Sequence, residues 1–302
     1  MTGAGSAEVA FSVEDSFRTL ADTPVWTQPG ENISVGSASL ENALNRARQP
    51  DDPRPDGSRE GNLEGALSVS FDMTDTDFHD LIFADGGTQL AQTAMLAPTA
   101  TWYISSNTYD STEERFLSGA AVESVTINYA QGESVTVELT IIYADEPEVG
   151  GTYGATPSTI DQPTKDEIVK WHGTDFNIDG VAVDELQSLS LEISGLARFR
   201  RGQSRFATDA VVGAYEPSLT VEAILDDDTQ QSYAYGGSSA TSPQDTIDET
   251  PATLAFDNPA GTLTTYTLSG LQPTTFDWSE LVSSDTDTTD PTTYHVKDVS
   301  SA

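Results

Sequence analysis

The 302-residue chain has no cysteine, which excludes disulfides, zinc-thiolate centres and thiol nucleophiles. Lysine occurs only at Lys165, Lys170 and Lys297, and histidine only at His79, His172 and His295, in unrelated contexts. There is no His-Glu-x-x-His, no Gly-x-Ser-x-Gly and no glycine-rich loop ending in Gly-Lys. Zinc peptidase, serine hydrolase and nucleotide-hydrolysing readings therefore have no support. No run of about 18 apolar residues is present, so no membrane insertion is expected. Residues 1–13 also lack an apolar stretch with basic flanks, so no secretion address is visible. The chain is expected to be neither an enzyme nor a cofactor binder.

Acid is what it has in excess. Asp and Glu total 49 against 13 Lys and Arg, a formal charge of −36. A nucleic-acid reader needs a basic footprint to neutralise phosphates, and this chain offers none. High net charge can leave a chain disordered, but the apolar residues here recur in strand-like alternations. With 4 Trp, 10 Tyr and 11 Phe there is also aromatic bulk for a core. Acid spread over a folded surface, with lysine scarce, suits concentrated salt, where the screening length falls to about 3 Å and carboxylates cease to repel one another. A salt-adapted, haloarchaeal setting is the expectation.

The two halves resemble each other at a nearly constant offset. Ser68-Val69-Ser70-Phe71-Asp72 matches Ser218-Leu219-Thr220-Val221-Glu222, and Gly86-Gly87 matches Gly236-Gly237, both at 150. Ser39-Leu40-Glu41 matches Ser190-Leu191-Glu192 at 151, and Ile33-Ser34-Val35 matches Val181-Ala182-Val183 at 148. In the first half, residues 33–45 read as extended, and the loop 46–60 carries Pro50, Pro53 and Pro55, which exclude regular structure. Leu63 to Met73 alternates as a half-buried strand. A short helix follows through Phe78, Leu81 and Ile82, capped by Thr74 to Asp77 and stopped by Gly86-Gly87. Strands are expected at 101–105, 122–129 and 133–143.

The second half repeats this scheme with strands at 189–199, 217–225, 263–268 and 294–299, and a loop at 200–205. Gln230 to Tyr235 reads as a poor helix after Asp226-Asp227-Asp228. Residues 238–250 and 283–293 read as polar loops. Between the halves, 145–174 reads as a linker with one short helix near 165–171. The fold class is mainly β, with two tandem sandwich or barrel-like units.

The segment Glu31 to Val35 through Leu63 to Phe71, with the Asp-rich helix start after it, resembles tail tube proteins of long-tailed phages and archaeal viruses. So does Phe116-Leu117-Ser118-Gly119-Ala120-Ala121-Val122-Glu123-Ser124-Val125-Thr126-Ile127, followed by 132–143. The resemblance covers most of 15–145 and, through the repeat, much of 176–302. It implies a β-sandwich with a flanking helix and a long β-hairpin loop that reaches the neighbouring ring, and it implies rings stacked into a hollow conduit for DNA. On this basis the chain divides into an N-terminal arm (1–30), a first tail-tube domain (31–148), a linker (149–175) and a second tail-tube domain (176–302). Three chains would supply six domains, so a homotrimer with pseudo-sixfold symmetry is expected. The partners implied are further copies of the chain, tape-measure and other tail proteins, and viral DNA passing without specific binding. The implied location is the virion tail, assembled in the host cytoplasm. Alternatives are another tail or baseplate ring of this fold, or a secreted haloarchaeal adhesion or carbohydrate-binding module using Trp26, Trp102, Trp171 or Trp278.

Eight of the basic residues fall in two matching loops: Arg46, Arg48, Arg54 and Arg59 in the first half, Arg198, Arg200, Arg201 and Arg205 in the second. Docking onto carboxylates of an adjacent ring is one reading. A solvated loop balancing Asp51, Asp52 and Asp56 is the other. Asp175, Asn177 and Asp179, with Gly180, place oxygen ligands at alternate positions as a calcium loop does. Leu186 stands where that loop needs Glu, although Asp184 and Glu185 lie nearby, so a polar turn is the stronger reading.

Overall fold

The computed structural model describes residues 7–302 apart from 49, 52–53, 85–87, 91–94, 108–109, 151–153, 165–166, 280 and 282–286. Alternating apolar residues set most of the chain into strands. The first half contains β1 (Ala7–Ser16), β2 (Thr19–Leu20), β3 (Glu31–Arg48), β4 (Pro55–Asp72), β5 (Ala100–Asn107), β6 (Thr112–Ala130) and β7 (Thr136–Tyr143). The second contains β8 (Thr174–Ile178), β9 (Val181–Ala182), β10 (Leu186–Ser194), β11 (Ala197–Arg201), β12 (Ala207–Val212), β13 (Glu216–Ala223), β14 (Thr250–Asn258), β15 (Gly261–Phe276), β16 (Thr292–His295) and β17 (Asp298–Ser301). A 3-10 turn at Asp77–Leu81 follows β4, and the helix α1 (Thr229–Tyr235) follows β13.

Eight strands form one antiparallel sheet in the order β3-β4-β7-β6-β10-β13-β16-β15. One of its faces is apolar: Val69, Phe71, Val137, Leu139, Ile127, Leu191, Leu219 and Tyr294 are all buried on it. Two smaller sheets cover that face, β2-β1-β5-β6 from the first half and β9-β8-β14-β15-β17 from the second. Trp102 and Leu117 of the first, and Phe256, Tyr266 and Leu268 of the second, belong to the same core cluster as the large sheet. Burying side chains of this size stabilises by roughly 1.5 to 3 kcal/mol each.

The long strands β6 and β15 each serve two layers. Their first parts pair in a cover sheet and their last parts in the large sheet, with the crossing at Gly119 and Gly270. Both glycines adopt left-handed φ, 59° and 63°, beside a register shift. A Cβ on Gly119 would meet Arg18 Cγ at 2.8 Å, so glycine is what lets the strand turn this corner. Pairing order in the first half runs β3-β4-β7-β6-β5-β1; in the second it runs β10-β13-β16-β15-β14-β8.

Several local expectations need correcting. The loop 46–60 is mostly strand: β3 runs on to Arg48 and β4 starts at Pro55, the first residue of its strand, where a missing N–H is tolerated. Residues 189–199 are two strands broken at Gly195 (φ 69°), and Arg200 and Arg201 lie in the second of them rather than in a loop. Residues 294–299 likewise split into β16 and β17, and β14 occupies a stretch left unassigned. The poor helix at 230–235 forms as α1, because Gln230, Ser232 and Tyr233 gain burial against the core. In place of the short linker helix expected near 165–171, the described residues show Glu167 in a 3-10 turn, its N–H donating to Thr164 O at 2.9 Å, and a second turn at Trp171–Gly173. Gly86, Gly87 and Lys165 lie outside the described residues.

The repeat also has a different register upstream of β4 and β13. Val35 faces Val69 as Leu191 faces Leu219, and Ser37 faces Ser68 as Glu192 faces Ser218. Val35 therefore corresponds to Leu191, not to Val183, and Val181 and Ala182 lie in β9. Leu40, matched to Leu191 in sequence, lies opposite Gly65 and does not correspond to it either. A period-2 pattern matches itself after any even shift, which accounts for the offset of 148, and the three-residue match at 151 is too short to fix a register.

Candidate functional site

Two hairpins carry the eight arginines, and the structure treats them differently. Beyond Gly65, where β4 stops pairing with β7, β3 and β4 pair only with each other. The ten residues 55–64 thus make an arm that projects about 30 Å from the sheet. Arg46, Arg48, Arg54 and Arg59 are exposed along it. Arg46, Arg48 and Arg59 make no ion pair among the described residues.

The β11–β12 hairpin instead folds back on the first half. Ala197 and Ala210 pack on Ala121, with Phe17, Ile142 and Phe199 around them, and Phe17 meets Phe199 edge-on at 6.1 Å. Arg201 Nη1 donates to Leu63 O at 3.1 Å, and its guanidinium lies 3.6 Å from Glu64. Arg205 bonds Asn42, and its carbonyl accepts from Leu63 N at 3.0 Å. Arg200 pairs with Asp209 at 3.8 Å, while Arg198 stays exposed. Arg201 and Arg205 therefore hold the root of the arm within one chain, so the eight arginines do not share one role.

The edges of the large sheet are the second feature. β6 and β10 join the halves through six residue pairs, among them Ile127 with Leu191 and Thr126 with Glu192. The strands matching them, β15 and β3, end the sheet at its two margins. Among the described residues no strand lies beyond β3, or on the outer side of residues 272–276. The effect on burial is visible: Leu189, Leu191 and Ile193 are 2%, 0% and 1% exposed, whereas Ile33, Val35 and Ala38 are only partly buried.

The second face of the large sheet is polar. Ser68, Thr140, Glu138, Thr126, Asn128, Glu192, Thr220, Glu222 and His295 occupy it, and outside the arm none of the residues paired within this sheet is Lys or Arg; Arg115 of β6 lies in the part paired with β5. Sequence reasoning did not single out these residues, although the same alternation that marked the core face marks them by parity.

A family model described as phage tail tube protein matches residues 6–294. The chain belongs to the phage tail tube protein family. Its role is structural, in the tail of the virion. A comparison with curated protein sequences gives no match.

In this tail tube protein the calcium-like motif is a hairpin. Asp175 and Asn177 lie on the outer side of β8, and Asp179 (φ 52°) and Gly180 (φ 79°) form its two-residue turn into β9. The tryptophans do not form a sugar platform: Trp26 stacks on Phe116 at 5.6 Å and Trp102 is in the core, leaving only Trp171 and Trp278 exposed.

Proposed function

We propose that this chain is the repeating subunit of the tail tube, and that it forms rings of three by joining the β15 margin of one copy to the β3 margin of the next. The observation that carries this is the β6–β10 seam, an internal example of the same junction. Matching strands through their shared neighbours puts Thr275 of one chain opposite Ser37 of the next, as Thr126 lies opposite Glu192. Joining the margins covers Ile33 and Val35 and removes two unpaired strand edges.

Three chains then supply twenty-four strands, and at a spacing of about 4.8 Å they enclose a bore roughly 37 Å across between backbones. The covered face points outward, so the Ser, Thr and Glu face lines the bore. Such a wall repels phosphate and gives it no fixed partner, so DNA slides. Stacked rings form the conduit for genome delivery, and the acid-rich surface fits a salt-adapted host.

The absence of native cysteine makes the test direct. Ser37→Cys with Thr275→Cys in one chain is expected to cross-link on oxidation into a closed covalent trimer, and either change alone should not. A double variant that remains monomeric at every salt concentration, both on oxidation and by light scattering, refutes the ring. Long hollow filaments in electron micrographs separate a tube subunit from a protein that stops at one ring.

A further inference from the structure

A cavity of about 120 Å³ opens where β13 ends and α1 begins, lined by Asp184, Glu185, Asp226, Asp227, Gln230 and Asp290. Asp290 is 4% exposed, and its Oδ1 has no hydrogen-bond partner. The fold does not require acid at this position. Asp290 N donates to Ala223 O at 3.0 Å, and the matching row of the first half joins Met73 N to Val135 O at 2.9 Å. Valine, fully buried, therefore fills the place that aspartate takes in the second half. A buried carboxylate with an unpartnered oxygen is costly unless a cation arrives. Among the described residues no three acidic or histidine side chains converge as metal ligands do.

The chain carries its own candidate cation at the opposite end of the sheet. Four antiparallel steps separate β4 from β13, so the two strands run the same way. The arm leaves from the N-terminal end of β4, and the cavity opens at the C-terminal end of β13. Arm and cavity thus face opposite ways along the strands, which is the head-to-tail arrangement that stacking needs. A guanidinium presents a planar fork of donors that suits a pair of carboxylates.

Resting on the tube reading above, we propose that this cavity is the socket for the β3–β4 arm of a second copy in the next ring, with Asp290 and its acidic neighbours receiving an arm arginine. Each chain has one such arm, because the β11–β12 hairpin is folded onto its own first half. Each ring therefore offers three arms to three sockets, although its wall is pseudo-sixfold.

The test uses full-length Asp290→Asn, Asp290→Val and a triple Arg46→Ala, Arg48→Ala, Arg59→Ala variant. All three are expected to form trimeric rings by light scattering yet to need at least about tenfold more protein than wild type to form filaments. Asp290 variants that polymerise at the wild-type concentration overturn the socket and leave the ring intact. Calcium or magnesium binding that disappears in Asp290→Asn, together with normal filaments from the arginine variant, also overturns it, by making the cavity a cation site. A wild-type chain that forms no ring overturns both readings.

Discussion

Replacing Asp290 by asparagine removes one buried negative charge while keeping the side-chain shape. Burial pushes the Asp290 carboxyl up from 3.8 to about 6; its hydrogen bonds to the backbone oppose the rise and the Asp227 charge adds to it. The folded state thus holds the charged form less favourably than the unfolded state does. At about pH 8, where both states are ionised, that difference is worth about 3 kcal/mol against folding, and about half as much once water at the cavity mouth screens the charge. Because the folded value is the raised one, the wild-type chain regains this energy as pH falls from 6 toward 3.8. Asp290→Asn is therefore expected to be more stable than wild type above pH 6 by about 1 to 3 kcal/mol, with the gain vanishing below 3.8. Urea denaturation of both proteins across that range, at concentrations too low for ring formation, measures the difference. A variant no more stable than wild type at about pH 8 would show that the chain neutralises Asp290 internally, and the case for an external partner would fall with it.

His79 gives a pH effect of the opposite sign. It is buried among Phe78, Phe83 and Tyr266, with its Nε2 2.6 Å from Tyr266 Oη, and burial lowers it from 6.5 to about 4. The neutral ring is what folds, so stability present above 6.5 is lost as pH falls toward 4, by up to about 3 kcal/mol; in His79→Gln this part of the pH dependence should be missing from denaturation curves. Glu14, buried in β1, accepts from Arg18 N, Thr99 Oγ1, Thr101 Oγ1 and Gly119 N, all within 2.9 Å. Glu14→Ala should destabilise the chain by at least about 2 kcal/mol, read as a lower urea midpoint, because several buried donors lose one acceptor together.

Legibility differed with the kind of interaction. The core face of β4, β7 and β13 could be read directly, since Val69, Phe71, Leu139, Leu219 and Val221 alternate and all are buried. The match of Ser68–Asp72 with Ser218–Glu222 also falls on strands with the same neighbours on each side. Reading failed where the outcome depends on contact with distant segments. The strand character of 46–60 comes from pairing with a partner strand across the arm, which three prolines obscured. Helix α1 depends on core contacts that its weak intrinsic propensity does not reveal. The arginine clusters were visible as a pair of matching groups, but only the fold shows that Arg201 and Arg205 are committed to Leu63 and Asn42 while the arm stays out. Asp290 could not be found among 49 acids, because its meaning lies in being buried opposite Ala223.

The two halves share one connectivity and differ in what they leave open, and that difference is what an assembling subunit needs. Were both hairpins extended, nothing would clamp the root of the arm; were both folded back, no arm would remain to leave the ring. The halves are fixed to each other by the β6–β10 seam, the β11–β12 hairpin on Ala121, and the His79–Tyr266 contact. The junction between chains would reuse the first of these and lack the third within any described contact of β3. It should therefore be the weaker seam, so that single chains fold before rings close. In the proposed ring, acid on the polar face would add a further bias, because Glu138, Glu192 and Glu222 would repeat around the bore and repel one another until salt screens them. Ring closure in the proposed tube should accordingly strengthen with ionic strength, whereas the proposed arginine sockets between rings should weaken with it, so a salt titration should separate the two steps.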